Sequence, residues 1–177
     1  MADLHVSWSE YREKIERLAI AIYRSGWQPD AIVCLAKGGL RVGDVLCRLF
    51  DVPLAILSAA SYDGRDRGEI LFSEHLSMTA DTLRDRVLLA DDLADSGASL
   101  RAACAWLEQR HTAVTELKTA TLWCKAHSVI VPDYYVEFLA DNPWIHQPFE
   151  VYESMTLAEL AAGAEGDRTA ASETTVS

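Results

Sequence analysis

The sequence predicts an α/β protein, with an open, mainly parallel twisted sheet, helices on both faces and a small hood or lid. Three observations carry that expectation. Short apolar runs at 31–36, 53–58, 87–90, 117–123 and 134–138 have the length and continuity of buried strands. Helical spacing of apolar residues appears between several of them. Glycine-containing turns join strand to helix at Lys37-Gly38-Gly39 and at Asp95-Ser96-Gly97.

In chain order, Ser7 and Glu10 form a capping-box pattern, and Tyr11, Ile15, Leu18 and Ile22 continue as the apolar stripe of a first helix that ends near Gly26. Ala31 to Leu35 reads as a buried strand, and a helical pattern runs from Leu40 to Phe50 after the glycine turn. Pro53 to Ser58 is a second short strand. About 20 polar residues follow, a long loop with room for one hairpin and, by its length, a functional candidate. Val87 to Ala90 is a third strand, and the Asp/Ser/Gly cluster behind it opens a helix through Gln109. Leu117 to Trp123 and Tyr134 to Phe138 complete the strands. One domain is expected over residues 1–160, and the small, polar residues 161–177 are expected to form a disordered tail.

Composition narrows the function classes. A net charge of −11 opposes broad attraction to nucleic acid or anionic membranes, so a phosphate ligand has to be captured locally. Backbone N–H groups, a helix N-terminus and a divalent metal can do this without raising the count of basic side chains. The apolar runs are too short to span a bilayer, and the first residues lack an apolar signal block, so a cytoplasmic protein is expected. Cys34, Cys47, Cys104 and Cys124 have no close partner in sequence and read as reduced core thiols. His5, His75, His111, His127 and His146 lack zinc-motif spacing, and the sequence argues against a protein-held zinc site. Neither GxGxxG nor a P-loop is present, which disfavours a dinucleotide-binding enzyme.

The segment Val87 to Leu100 holds the densest chemistry. A strand delivers Asp91 and Asp92, a small-residue turn follows, and a helix starts. Asp95, Ser96, Gly97, Ala98 and Ser99 can wrap a phosphate: Gly97 permits close approach, N–H groups point inward, and Ser96 and Ser99 add hydroxyls. Asp91 and Asp92 suit a sugar diol and a metal-bridged pyrophosphate, which call for oxygen acceptors and hard anionic charge. A plain acidic strand end followed by a capped helix is the competing account of the same residues. Lys37-Gly38-Gly39 by itself reads equally as a connecting turn or as a phosphate site.

The segment resembles the signature of the type I phosphoribosyltransferases, a hydrophobic strand, two acidic residues and an Asp-Thr-Gly-x-Thr turn, with Ser96 and Ser99 in place of the threonines. Cys34 to Leu40 is similar to that family's pyrophosphate loop, with Lys37 where arginine is more usual, which keeps the charge and loses the bidentate geometry. Ser61-Tyr62-Asp63, the strand-end Lys125, Pro132-Asp133-Tyr134 and Trp144-Ile145-His146-Gln147-Pro148 follow in an order similar to xanthine-guanine and hypoxanthine phosphoribosyltransferases, across roughly residues 6–153.

The resemblance implies transfer of the 5-phosphoribosyl group from 5-phosphoribosyl-1-pyrophosphate (PRPP) to N9 of a purine, with Mg²⁺ held by Asp92 largely through PRPP. It implies Lys37, Gly38 and Gly39 at pyrophosphate, Ser61 and Tyr62 in a closing lid with Arg65 and Arg67, and a homodimer or homotetramer, for which Trp106 and Trp123 offer interface aromatics. Lys125 would donate to a 6-oxo oxygen, Trp144 would stack on the base, and the backbone near Ile145 would meet the purine 2-position. Asp95 falls where the family keeps a carboxylate near purine N7 and is the candidate acid–base group, with a helix N-cap as its competing role. A non-enzymatic sensor of PRPP or a nucleotide on the same fold is the alternative class, against which stand the acidic charge and the lack of an added helix-turn-helix.

Overall fold

A computed structural model of the chain describes residues 3–61 and 70–162, with only the backbone of Ser61. In chain order the elements are β1 (Leu4–His5), α1 (Trp8–Arg24), β2 (Ala31–Ala36), α2 (Gly39–Phe50), β3 (Leu54–Ser61), β4 (Ile70–Phe72), β5 (Ser77–Met78), β6 (Asp85–Ala90), β7 (Leu93–Ala94), α3 (Ala98–Arg110), β8 (Val114–Lys125), β9 (Tyr134–Leu139), β10 (Ile145–His146) and α4 (Val151–Ser154). The described residues fall into two compact units, 12–143 and 3–11 with 144–162.

The larger unit is built on a sheet of order β4-β3-β2-β6-β8-β7, with β9 also paired to β8 and β5 to β3. β3, β2, β6, β8 and β9 run parallel, while β4 and β5 return antiparallel on β3. The parallel strands are nearly all apolar because both of their faces are covered. Val33, Leu35, Leu57, Val87 and Leu89 turn one face toward Leu100, Ala103 and Leu107 of α3. On the other face α2 lies against β2, so close that a Cβ on Gly43 would sit 2.6 Å from the Cβ of Cys34. The expected α/β architecture is therefore present.

Adjacent parallel strands β2, β6 and β8 bring their carboxyl ends together. Three loops emerge side by side there: Lys37-Gly38, Asp91-Asp92 and the turn after Lys125. This is the edge where open α/β sheets bind ligands.

In the smaller unit, Ser7 and Glu10 close the predicted capping box. The Ser7 N–H donates to Glu10 Oε2 at 2.8 Å and the Glu10 N–H to Ser7 Oγ at 3.2 Å. A second capping box, Thr156 with Glu159, opens a helical turn over 157–162 that the sequence analysis did not anticipate. The expected tail therefore begins in helix at 161–162, and its remainder lies outside the described residues.

Trp123 is a correction. It is 0 % exposed, and its indole N–H donates to Glu137 Oε2 at 3.0 Å, so it belongs to the fold of one chain and cannot serve an interface. Trp106 rests against Phe72, with the Arg110 guanidinium over its ring.

Candidate active site

Lys37-Gly38-Gly39 and Asp91-Asp92 form a two-loop floor. A Cβ on Gly38 would lie 2.4 Å from Asp92 Oδ1, and one on Gly39 would lie 2.4 Å from the Ala90 carbonyl oxygen and 3.0 Å from the Asp91 Cα. A Cβ at Gly39 would force the loops apart, whereas one at Gly38 would displace the Asp92 carboxylate. The glycines are thus explained by contact with the acidic pair and its strand. The peptide bond between Ala36 and Lys37 is cis, and the Lys37 side chain is exposed.

Asp91 is held in place by its own neighbours: its Oδ1 accepts the Asp92 N–H at 2.9 Å and its N–H donates to the Ala120 carbonyl at 3.0 Å. Burial of the carboxyl group pushes its pKa well above the usual carboxylate range, and the adjacent Asp92 charge adds to the rise. The N–H groups of Asp92 and Gly39 oppose it. The residue as a whole keeps some exposure, whereas its carboxyl is crowded by protein; crowding at the carboxyl is what governs its ionisation.

A raised folded pKa means that the native state binds the proton more tightly than the unfolded chain. Stability therefore falls as pH rises from the unfolded pKa through the folded one. Asp91→Asn keeps an acceptor for both N–H groups and removes the charge. In metal-free buffer the variant is expected to unfold at a higher denaturant midpoint than wild type at neutral pH, with the gain shrinking toward zero at pH 3–4, about the ordinary carboxylate pKa. An equal or lower midpoint at neutral pH would show that the charge is not strained.

Beyond Asp92 the chain adds the two-residue strand β7, which the sequence analysis missed. Its register against β8 pairs Leu93 with Trp123 and Ala94 with Cys124, and one step further sets Asp95 opposite Lys125. Lys125 Nζ lies 3.1 Å and His127 Nε2 3.0 Å from Asp95 Oδ1. The lysine side chain is 5 % exposed, whereas Asp95 is half exposed. His127 was not singled out from the sequence; a histidine two residues past a strand-end lysine is the signal that would have found it.

Asp95 is not the helix N-cap. Gly97 occupies that position at φ 73°, where a glycine is required, and a Cβ there would also meet Ser128 Oγ at 2.2 Å. Ser96 Oγ accepts the Ala98 N–H at 3.3 Å, and the Val129 N–H donates to the Ser96 carbonyl at 2.8 Å, tying the turn after β8 to this loop. Ser96, Ala98 and Ser99 retain partial or full exposure at the start of α3.

Trp144 and Ile145 belong to the smaller unit. The Trp144 ring is 62 % exposed, while Ile145 is buried in β10. Carbonyls of Trp144 and His146 accept from Leu4 and Val6 across the β1 pairing. Since carbonyls alternate along a strand, that of Ile145 faces away from β1. Ser61 ends β3, paired with Ile70; its side chain and Tyr62, like Arg65 and Arg67, lie outside the described residues.

The chain matches the family described as the phosphoribosyl transferase domain over residues 7–154. It is 24 % identical over 152 residues to a xanthine-guanine phosphoribosyltransferase of Idiomarina loihiensis, covering 85 % of this chain and 88 % of that one. Among solved structures, a purine phosphoribosyltransferase from Pyrococcus horikoshii aligns with a TM-score of 0.71 at 26 % identity, covering 84 % of this chain and 95 % of the other. The Helicobacter pylori xanthine-guanine-hypoxanthine enzyme aligns with a TM-score of 0.74 at 23 % identity, over 86 % and 96 %. With the family matched across most of its length and the acidic pair, glycine turn and helix start assembled at one sheet edge, this chain belongs to the phosphoribosyltransferase family, as an enzyme of the type I fold.

Proposed function

We propose that the enzyme transfers the 5-phosphoribosyl group from PRPP to N9 of a 6-oxopurine, guanine, xanthine or hypoxanthine, and releases pyrophosphate, a purine-salvage reaction in the cytoplasm. The observation that carries this reading is the Lys125–Asp95 pair, an ammonium and a carboxylate 3.1 Å apart beside the phosphate-type loop. A donor next to an acceptor matches the O6 and N7–H edge of a 6-oxopurine. Adenine presents an amino group at position 6, a donor facing a donor.

In this reading the 5-phosphate is held by Ser96 to Ser99 at the start of α3, where Gly97 lets the backbone close around it. Asp91 and Asp92 accept from the ribose hydroxyls, and Lys37 with the Gly38-Gly39 backbone meets the pyrophosphate. Ser61 and Tyr62 are proposed to contact it from the lid. Asp92 suits Mg²⁺, since a hard carboxylate with partial exposure is what that ion uses alongside substrate phosphates. Asp92 would hold it largely through PRPP, and when bound it neutralises charge on the leaving pyrophosphate.

Asp95 takes the N7 proton as N9 becomes the nucleophile, using Oδ2, while Lys125 and His127 hold Oδ1. Trp144 offers a ring face to the base, and the Ile145 carbonyl can accept from a 2-amino group. The exposed Ile20, Tyr23 and Leu49 are apolar candidates for the contacts of a homodimer or homotetramer.

The test is turnover of guanine, xanthine, hypoxanthine and adenine with PRPP and Mg²⁺. At least one 6-oxopurine should react, chelation of the metal should abolish it, and adenine should react at least about 100-fold more slowly, since a mispaired buried polar group discriminates strongly. PRPP binding without turnover of any base would refute the assignment.

A further inference from the structure

We propose that Asp3, His5 and His146 form a binding site for a divalent transition ion of the zinc type, which clamps β1 onto β10. Sequence spacing argues against a zinc site, because its ligands are sought close together in the chain. Here the residues come from 141 positions apart, brought together by one strand pairing.

His5 and His146 are register partners across parallel strands, so their side chains leave the same face side by side. The rings stack with centroids 4.3 Å apart at 10°. Asp3 Oδ2 lies 3.0 Å from His146 Nε2, and one ligand atom from each of the three residues lies within 4.8 Å of the others. Glu150 Oε2 lies 3.9 Å from the other nitrogen, Nδ1, of His146. A shift of about 1 Å would bring it into hydrogen-bond range, where a carboxylate orients a metal-bound imidazole from behind.

Ligands of a tetrahedral zinc at about 2 Å are roughly 3.3 Å apart; Asp3 and His146 already stand at 3.0 Å, so the His5 nitrogen has to close by at most about 1.5 Å, with one imidazole turned so that both rings address the ion. Asp3 and His5 are exposed, and His5 lines a groove together with His146, Gln147 and Glu150, so rotation meets little resistance and water can supply the remaining ligand. Two imidazoles and one carboxylate select zinc, nickel, cobalt or copper over magnesium, which prefers an all-oxygen shell. The site is thus chemically distinct from Asp91 and Asp92.

β1 and β10 have two residues each, and the pairing with its flank rests on the Leu4 and Val6 N–H bonds at 2.8 and 3.0 Å. So short a pairing is weak by itself. An ion bridging His5 to His146 fixes β10 and, with it, the direction of the Ile145 carbonyl. This last consequence rests on the proposed role of Ile145 in base recognition; the metal site does not.

The experiment uses the full chain, stripped with a chelator and dialysed, without PRPP or purine. Zn²⁺ is titrated by calorimetry, and Co²⁺ by its visible absorption, into wild type, His5→Ala and Asp3→Asn, each checked for folding by circular dichroism. Wild type should bind one Zn²⁺ of micromolar affinity or tighter that both variants weaken at least tenfold, and Zn²⁺ should raise the thermal midpoint of wild type alone. The four cysteines and the Asp91-Asp92 pair offer rival ligands, so the variants decide. Unchanged affinity in both, or no micromolar site in wild type, overturns the proposal. Zinc binding without purine turnover would leave the metal site standing and remove only the assigned role of Ile145.

Discussion

Asp95→Asn is expected to lower kcat for the 6-oxopurine by about 10²- to 10⁴-fold, the usual contribution of a positioned acid–base group, while PRPP binding stays close to wild type. Asn keeps an oxygen for the Lys125 ammonium, 3.1 Å away, and for the His127 ring at 3.0 Å, so the pocket's shape should survive the loss of its proton acceptor. Asp95→Ala differs in kind, since it strands an ammonium that is only 5 % exposed. Because Asp95 is itself half exposed, solvent softens the penalty to about 1–3 kcal/mol of stability, below that of a fully buried pair. Stopped-flow or steady-state turnover with thermal unfolding of both variants separates the roles. A kcat within about threefold of wild type in Asp95→Asn would remove Asp95 from the chemistry.

The placement of that pair shows what a single sequence can and cannot convey. The strands, the helices and the strand-to-helix turns were legible because buried parallel strands leave apolar runs and glycine turns interrupt them. Asp91, Asp92 and the 95–99 turn were legible because they are contiguous. β7 was not: Leu93-Ala94 is too short for any periodicity, and only its register with β8 sets Asp95 opposite Lys125. For the same reason the sequence left Asp95 open between N-cap and acid–base group, and left His127 unnoticed. Trp123 was open to an interface role until its indole was found on Glu137, 14 residues away in a neighbouring strand. The pairing of His5 with His146 is invisible to any local pattern.

Gly39→Ala carries the other large expected effect, and its cause is steric. The added Cβ would stand 2.4 Å from the Ala90 carbonyl oxygen and 3.0 Å from the Asp91 Cα, both backbone atoms at the carboxyl end of β6, where Val87 to Ala90 are buried. No side-chain rotation relieves that contact, so the 36–39 turn has to move away from β6. A stability loss of about 1–3 kcal/mol follows from overpacking of this kind. A shift near 1 Å between Lys37 and the acidic pair is enough to lower kcat/KM by about 10²-fold, because both loops have to grip one substrate at once. Gly38→Ala provides the contrast: its Cβ meets the Asp92 carboxylate, a side chain that can turn aside. That variant should unfold within about 1 kcal/mol of wild type, as substitutions without backbone conflict do, yet still lose Mg²⁺-dependent PRPP affinity, since the turned carboxylate is the proposed metal contact. Chemical denaturation with PRPP titration in the presence and absence of Mg²⁺ reads both quantities. If Gly39→Ala kept wild-type kcat/KM despite its lost stability, the two loops would be shown to meet for packing alone, and the substrate would have to bind elsewhere on the sheet edge.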